Sequence, residues 1–185
     1  RTMCVLGLML GFVVSSGAQS VRQLLTAADP TVAAYLGQRT VISGDYLLAG
    51  APGSEFGGVN MGQAYVFVRG AGGWAQQANL HPVDGVSGDE FGRAVAFDGN
   101  YAFVGSRSGL GSVYIYSRSG TNWLYVNKLT PPSGSADGFG SAVAWSDPYL
   151  LVGAKDSSNE FSSSVGAVYT YRRNGSTWSP EVRFS

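Results

Sequence analysis

The chain has 185 residues, and its twelve lysine and arginine side chains balance its twelve aspartate and glutamate side chains. This neutral charge excludes nucleic-acid binding driven by bulk positive charge, and the aromatic content of 12% excludes a disordered chain. A sequence with 27 glycines, many aromatic residues and few charges is typical of an all-β protein with many tight turns. One cysteine and one histidine cannot supply a disulfide framework or a His/Cys zinc site.

The first twenty residues have the three parts of a secretory signal peptide. Arg1 precedes an apolar run over residues 3–14, and small and polar residues follow over 15–20. The run is shorter than the ~20 residues that a membrane-spanning helix needs. We therefore predict a signal peptide over 1–20 that takes Cys4 with it when cleaved. A buried N-terminal strand or helix is the alternative. Because the first residue is arginine, we expect the sequence to be incomplete at this end.

A unit of about fifty residues repeats three times. Each unit has a glycine, a tyrosine nine residues later and a second glycine four residues after that: Gly37, Tyr46 and Gly50, then Gly92, Tyr101 and Gly105, then Gly140, Tyr149 and Gly153. A third glycine is followed at fixed offsets by tyrosine, arginine and tryptophan: Gly62, Tyr65, Arg69 and Trp74, then Gly111, Tyr114, Arg118 and Trp123, then Gly166, Tyr169, Arg173 and Trp178. Only the interval between the second and third glycines varies strongly, which indicates a surface loop.

Each unit is predicted to form four strands. In the middle copy they cover 93–97, 101–104, 112–117 and 123–129, separated by turns rich in Gly, Asn and Ser. Four short antiparallel strands at this period are typical of propeller blades. We therefore predict an all-β propeller segment with three four-stranded blades, over 33–81, 88–130 and 136–185, and an orphan N-terminal strand at 21–26. Three blades fall short of the usual four to eight, so we expect a fragment of a larger propeller or a protomer that closes a ring with partners.

Short dipeptide and tripeptide motifs recur at matched positions: Phe91-Gly92, Phe139-Gly140, Gly50-Ala51-Pro52, and the weaker copies Gly105-Ser106 and Gly153-Ala154, with Leu36-Gly37 in place of Phe-Gly in the first unit. This pattern resembles the FG-GAP repeat family, which includes the integrin α-subunit propeller, and its second half looks most like the bacterial secreted branch. The resemblance implies about seven blades in complete members, an extracellular location, and adhesion or ligand recognition.

Calcium-binding members of that family carry several aspartates between the two motifs, and this sequence does not. Each of the corresponding connections offers one carboxylate, from Asp45, Asp98 or Asp147. Calcium takes six to eight oxygen ligands, so we interpret these as turn residues and expect no cofactor. A weak candidate for a calcium site is the set Asp156, Asn159 and Glu160 in the third variable loop, for which a solvated loop is the alternative.

No arrangement of residues predicts catalysis. His81, the single histidine, is expected at an exposed strand end, where it could pair with Asp84 and a serine, but no strained nucleophile turn is present. Asp89 and Glu90 are adjacent on an extended chain, so their side chains point to opposite faces. We therefore predict no catalytic residue and no enzyme activity.

The recurring arginines and tryptophans have two interpretations each. Arg69, Arg118 and Arg173 could form a ring facing an acidic ligand, or could lie over neighbouring aromatic rings at strand ends. The tryptophans could form a sugar platform or pack between blades. We favour the structural interpretation for both sets.

We predict a secreted or cell-surface, non-catalytic module for recognition or adhesion. Binding is assigned to the loops that join the second and third strands, around 51–61, 106–110 and 154–165, which should cluster on one rim. The expected partner is an extracellular protein or glycan, with remaining blades or self-association closing the ring, no nucleic acid, and no membrane span after signal cleavage. The alternatives are a scaffold region of a larger secreted enzyme with its catalytic domain elsewhere, and a self-assembling structural protein.

Overall fold

The computed structural model describes residues 23–32, 34–107, 109–132, 138–158 and 165–185. Within these ranges the chain forms twelve β-strands and no helix, so this part of the protein has no helix that could cross a membrane. The predicted signal peptide over 1–20 lies outside the described residues.

The strands form three separate four-stranded sheets, each antiparallel and built from consecutive strands. Blade 1 contains β1 (Arg39–Ser43), β2 (Tyr46–Ala51), β3 (Gln63–Gly70) and β4 (Gly73–Leu80). Blade 2 contains β5 (Ala94–Phe97), β6 (Tyr101–Ser106), β7 (Ser112–Ser119) and β8 (Asn122–Leu129). Blade 3 contains β9 (Phe139–Ser146), β10 (Tyr149–Ala154), β11 (Ala167–Asn174) and β12 (Thr177–Phe184). The prediction of three four-stranded propeller blades is confirmed.

The predicted N-terminal strand is not formed by the described residues of that segment. Residues 23–27 are irregular, although the Gln23 side chain bonds both the backbone N–H and the carbonyl oxygen of Trp74 at 2.8 and 2.7 Å. The outermost strand of each blade pairs with the third strand of its own sheet, and no such partner stands beside 23–27 in the described part of the chain. The segment therefore lies against blade 1 through side-chain bonds.

The hydrophobic core lies between the blades. One cluster joins Leu48 and Val66 of blade 1 to Phe91 and Tyr114 on the blade 2 side. A second joins Phe103 and Ile115 of blade 2 to residues of blade 3, including Phe139 and Trp178. Each blade is therefore stabilised mainly by its neighbour, as expected for stacked repeats.

Adjacent blades touch through their backbones at glycine positions. A Cβ atom on Gly50 would collide with the carbonyl oxygen of Gly92, and one on Gly105 would collide with that of Gly140. Close by, parallel β-bridges join Gly62 to Phe91 and Gly111 to Phe139. The repeated glycines are needed because any side chain at these points would separate the blades.

The outer strand pair of every blade contains a β-bulge at the same place. The pairing skips Gln77 in β4, Val126 in β8 and Glu181 in β12. The Gln77 side chain accepts a 3.1 Å hydrogen bond from the indole N–H of Trp123 in the next blade. At the next seam the bulge holds Val126, and the buried indole nitrogen of Trp178 has no hydrogen-bond partner among the residues that the structure describes.

Replacing Gly105 with alanine should destabilise the protein by roughly 2 kcal/mol or more, because the new methyl group overlaps the backbone of the next blade. The matched control is Gly70→Ala, since Gly70 has open space around its Cβ position and no positive φ. That control should stay within about 0.5 kcal/mol of wild type in urea unfolding. Equal effects of the two substitutions would contradict the backbone contact.

Placing glutamine at position 126 should give the Trp178 indole the acceptor that Gln77 gives Trp123. Val126→Gln is expected to be about 1 kcal/mol more stable than Val126→Met, which has similar length and lacks the amide. Chemical denaturation of the two variants tests this difference. If Val126→Met is the more stable of the two variants, a hydrogen bond to the Trp178 nitrogen does not account for the difference in stability.

Candidate functional site

The connections between strands divide between two rims of the molecule. The loop rim carries the loops that join the second and third strands of each blade, together with the linkers between blades. The turn rim, at the other end of the strands, carries the tight turns, such as the one between Gly70 and Gly73. The predicted grouping of the variable loops on one rim follows from this strand order.

A cavity of about 480 Å³ opens on the loop rim. Its lining includes Pro52 and Asn60 from the blade 1 loop and Ser87 and Glu90 from the linker to blade 2. Three further lining residues directly follow the first glycine of their repeat, one in each blade: Gln38, Arg93 and Ser141. The cavity is therefore a place where equivalent positions of all three blades meet.

A second cavity of about 230 Å³ lies beside it at the seam between blades 2 and 3. Arg93 lines both cavities, and Arg107, Lys155 and Asp156 line the second. Backbone hydrogen bonds tie the loops to the linker, from Gly88 N–H to Asn60 O at 2.8 Å and from Arg107 N–H to Asp89 O at 2.5 Å. The two cavities thus form one continuous surface on the loop rim.

Two residues at the large cavity have left-handed backbone conformations. Tyr35 and Glu90 have φ values of 55° and 49°, and each lies two residues before the first glycine of its repeat. The third copy has Gly138 at this position, with φ 65°. Residues other than glycine rarely adopt this conformation, so the surrounding linker must hold Tyr35 and Glu90 in it. At Glu90 it places the carboxylate between Arg93 and Arg107, at 3.5 and 3.2 Å.

Arg39 is the lining cation without a carboxylate partner among the described residues. Its guanidinium donates a 3.0 Å hydrogen bond to the Gln38 carbonyl oxygen, and its residue is exposed. The remaining guanidinium N–H groups can bind an anionic or carbonyl group of a ligand. Sequence reasoning missed Arg39 and Arg93, and it considered Glu90 only as a partner of Asp89 in catalysis. Aligning the three copies on their first glycine would have shown that Arg93 occupies the same repeat position as Gln38 and Ser141.

The candidate calcium ligands are not brought together among the described residues. The Asp156 carboxylate accepts hydrogen bonds from Lys155 Nζ at 2.7 and 2.8 Å, while Asn159 and Glu160 lie outside the described ranges. No group of three His, Cys, Asp or Glu side chains suited to a metal occurs in the described part of the chain. The set stays a weak sequence-based prediction.

The three turn aspartates hold turns, as predicted. Asp45 and Asp147 form ion pairs of 2.7 and 2.8 Å with the repeat arginines of their own blades. Asp98 accepts hydrogen bonds from two backbone N–H groups of its turn and from the indole N–H of Trp145 in the next blade at 2.7 Å. Each of these carboxylates therefore has a protein partner at its turn.

The repeat arginines stack on aromatic rings. Arg118 and Arg173 lie over Tyr46 and Tyr101 of the preceding blade, with guanidinium-to-centroid distances of 4.7 and 5.2 Å. Arg69 lies 5.7 Å from the centroid of the Trp74 ring. These contacts agree with the structural interpretation, and Arg118 and Arg173 join adjacent blades along the turn rim. Trp123 and Trp178 likewise pack in the clusters between blades.

The histidine and its candidate partner have separate roles. The His81 ring stacks on Phe56 with centroids 3.8 Å apart and is half-buried, so the expectation of an exposed side chain was wrong. The loop before β3 folds back and covers it. The Asp84 carboxylate instead accepts hydrogen bonds from Lys128 Nζ at 2.7 Å and Tyr114 Oη at 2.6 Å. These bonds lower the pKa of Asp84 below its ordinary value of 3.8.

Asp89 and Glu90 do not face each other, but the extended chain assumed in the prediction is absent, because Glu90 has a φ of 49°. Asp89 is buried and accepts a 2.8 Å hydrogen bond from the Val86 backbone N–H. Glu90 faces the two arginines of the loop rim, so the two carboxylates have different partners.

We expect calcium to leave the stability of the protein unchanged. The turn aspartates are already paired, so adding millimolar calcium should not shift the melting temperature, because only binding to the folded state would raise it. Thermal unfolding with calcium and with a chelator provides the measurement. A calcium-dependent increase that disappears in Asp156→Asn would instead establish the site in the third loop.

Asp84 should contribute stability that is lost in acid. Because its folded-state pKa is lowered, its contribution is present above pH ~4 and disappears as the pH falls through the folded-state value. Asp84→Asn should therefore lower the urea midpoint at neutral pH and converge with wild type in strong acid. The difference should be small, below about 1 kcal/mol, because the ion pair is partly exposed. A constant difference at every pH would contradict this role.

Comparison with known proteins agrees with the repeat found in the sequence. A family model described as FG-GAP repeat matches residues 20–67, 74–116 and 123–171, more than half of the chain. A search of curated proteins found no significant match.

Proposed function

Because the chain belongs to the FG-GAP repeat family, we propose that it is a non-catalytic recognition module that acts outside the cell or at its surface. Repeats of this family form propeller blades and occur in extracellular or surface proteins. Recognition is assigned to the loop rim, and the expected ligand is an extracellular protein or glycan.

The observation that carries the proposal is the pair of adjacent cavities on the loop rim. On the turn rim, the repeat arginines and aspartates are used in bonds that hold turns and join blades. On the loop rim, the two adjacent cavities are lined by polar and charged side chains from several segments, including Arg39 and Asn60. A concave surface with a few convergent polar groups is the usual form of a binding site.

The side chains that could have served catalysis have other partners. His81 stacks on Phe56, and Asp84 is bonded to Lys128 and Tyr114. Glu90 forms ion pairs with Arg93 and Arg107. These contacts favour a binding role over an enzymatic one.

Removing the Arg39 charge should weaken ligand capture by about tenfold, because a charge-assisted hydrogen bond contributes roughly 1.5–3 kcal/mol. Arg39→Gln is compared with Arg172→Gln, which removes the same charge from an exposed residue of β11 near the turn rim. The probes are immobilised fibronectin, fibrinogen and collagen, and a glycan array. Capture of at least one probe, lost in Arg39→Gln alone, supports the proposal. No capture, or equal losses, would refute recognition through the loop rim.

A further inference from the structure

We propose that the ligand of the loop rim is an anionic saccharide, a sugar whose ring carries a carboxylate or sulfate group. The assignment rests on the proposed recognition function and names the class of ligand that this function requires. Arg39 binds the anionic group, Tyr35 stacks against the sugar ring, and the amides of Gln38 and Asn60 bond its hydroxyl groups. All four residues line the cavity of about 480 Å³ on the loop rim.

A tight turn at the entry to each blade holds this part of the cavity lining in place. In every copy the backbone N–H of the residue after the first glycine donates to the carbonyl oxygen three residues earlier. These bonds run from Gln38 to Tyr35, from Arg93 to Glu90 and from Ser141 to Gly138, at 3.1, 3.1 and 3.0 Å. A further bond of 3.2 Å, from Gly53 N–H to Ala34 O, ties the first turn to the loop of blade 1. The position of Tyr35 is therefore set by the fold before a ligand arrives.

Tyr35 supplies an aromatic surface at the edge of the cavity. Of the ten tyrosines of the chain it has the largest exposed fraction, 65%. Its left-handed φ of 55° is strained for a tyrosine, and the third copy has Gly138 at the same position. A pyranose ring has a face of C–H groups that packs on an aromatic ring, while the hydroxyl groups at its edge stay free for hydrogen bonds. The ring of Tyr35 can therefore hold a sugar without using its polar groups.

The two cavities carry an excess of positive charge, although the chain as a whole is neutral. Four cationic side chains line them against two carboxylates: Arg39, Arg93, Arg107 and Lys155, against Glu90 and Asp156. Glu90 pairs with Arg93 and Arg107, and Asp156 pairs with Lys155. In the described part of the chain, Arg39 is thus the lining cation left for an anionic group. A guanidinium binds a carboxylate or sulfate through two parallel N–H groups.

The uncharged part of the lining favours a saccharide over an acidic peptide. Gln38, Asn60, Ser87 and Ser141 supply amide and hydroxyl groups, which both donate and accept hydrogen bonds as sugar hydroxyls require. Pro52 alone among the described lining residues has an aliphatic side chain, whereas peptide-binding sites usually hold side chains in apolar pockets. The volume of about 480 Å³ lies within the ~300–1,000 Å³ of sites for small ligands. The cavity therefore suits sugar units better than the side chains of a peptide.

The first experiment measures binding of the full chain by isothermal titration calorimetry. The probes are an oligogalacturonate, a sulfated cello-oligosaccharide, the neutral cello-oligosaccharide and an oligoglutamate of equal charge. At least one charged saccharide should bind about tenfold more tightly than the neutral saccharide and the oligoglutamate, because only it makes both the ring contact and the charged contact. The carboxylate and sulfate probes distinguish the two sources of the anionic group. Equally tight binding of oligoglutamate, or no binding of either charged saccharide, overturns the proposal.

A second experiment compares variants of Tyr35 with the saccharide that binds. Tyr35→Asn removes the ring and keeps the turn, because asparagine tolerates a left-handed backbone, and it should weaken binding about fivefold. Tyr35→Phe keeps the ring and should bind like wild type. The control Tyr125→Asn, at a tyrosine 42% exposed on β8 and outside the lining of both cavities, should also bind like wild type. Unchanged binding by Tyr35→Asn overturns the proposal.

The protein probes separate a wrong ligand class from a wrong function. Capture of fibronectin, fibrinogen or collagen that is lost in Arg39→Gln, with no binding of a charged saccharide, overturns the saccharide and leaves recognition by the loop rim in place. Failure of the proteins, the glycan array and the charged saccharides together overturns both.

Discussion

Direct backbone contact between adjacent sheets is the constraint on which the rest of the structure depends. At Gly50 and Gly105 the next blade approaches so closely that no side chain fits. The aromatic residue of the following dipeptide, Phe91 or Phe139, then enters the core beside that contact. The spacing of these glycines is fixed because they mark where blade 1 meets blade 2 and where blade 2 meets blade 3.

The two rims use charged residues in different ways. On the turn rim, Arg118 and Arg173 each bond the turn of their own blade and cover a tyrosine of the preceding one, so they cannot easily be changed. On the loop rim, Arg107 lies in a loop whose length varies between repeats, and its ion-pair partner Glu90 lies in the linker between blades 1 and 2. Blade association and surface chemistry are therefore carried by different residues at opposite ends of the same strands.

The repeat made the fold predictable, because the spacings that recur in sequence are those set by packing between blades. The predicted strands of the middle blade agree closely with β5 to β8, although β6 and β7 extend to Ser106 and Ser119. The prediction of an N-terminal strand was wrong for the described residues 23–26. In each blade the outer strand pairs with the third strand of its own sheet, and these residues have no such strand beside them in the described part of the chain. The sequence predicted the loops of the loop rim correctly, but it did not predict that Arg39, Glu90 and Arg93 line one cavity there. These residues come from separate segments, whose packing against one another is not visible in the sequence. His81 was misjudged because Phe56 reaches it from a loop with no repeated pattern.

Within the described ranges, every sheet is built from four consecutive strands. Most pairings within a blade are therefore local hairpins, which form faster than contacts between distant segments. As the polypeptide leaves the ribosome, each finished sheet can offer its glycine-lined surface to the segment that emerges next. Assembly can then proceed in the direction of synthesis, with every new blade folding on the one before it.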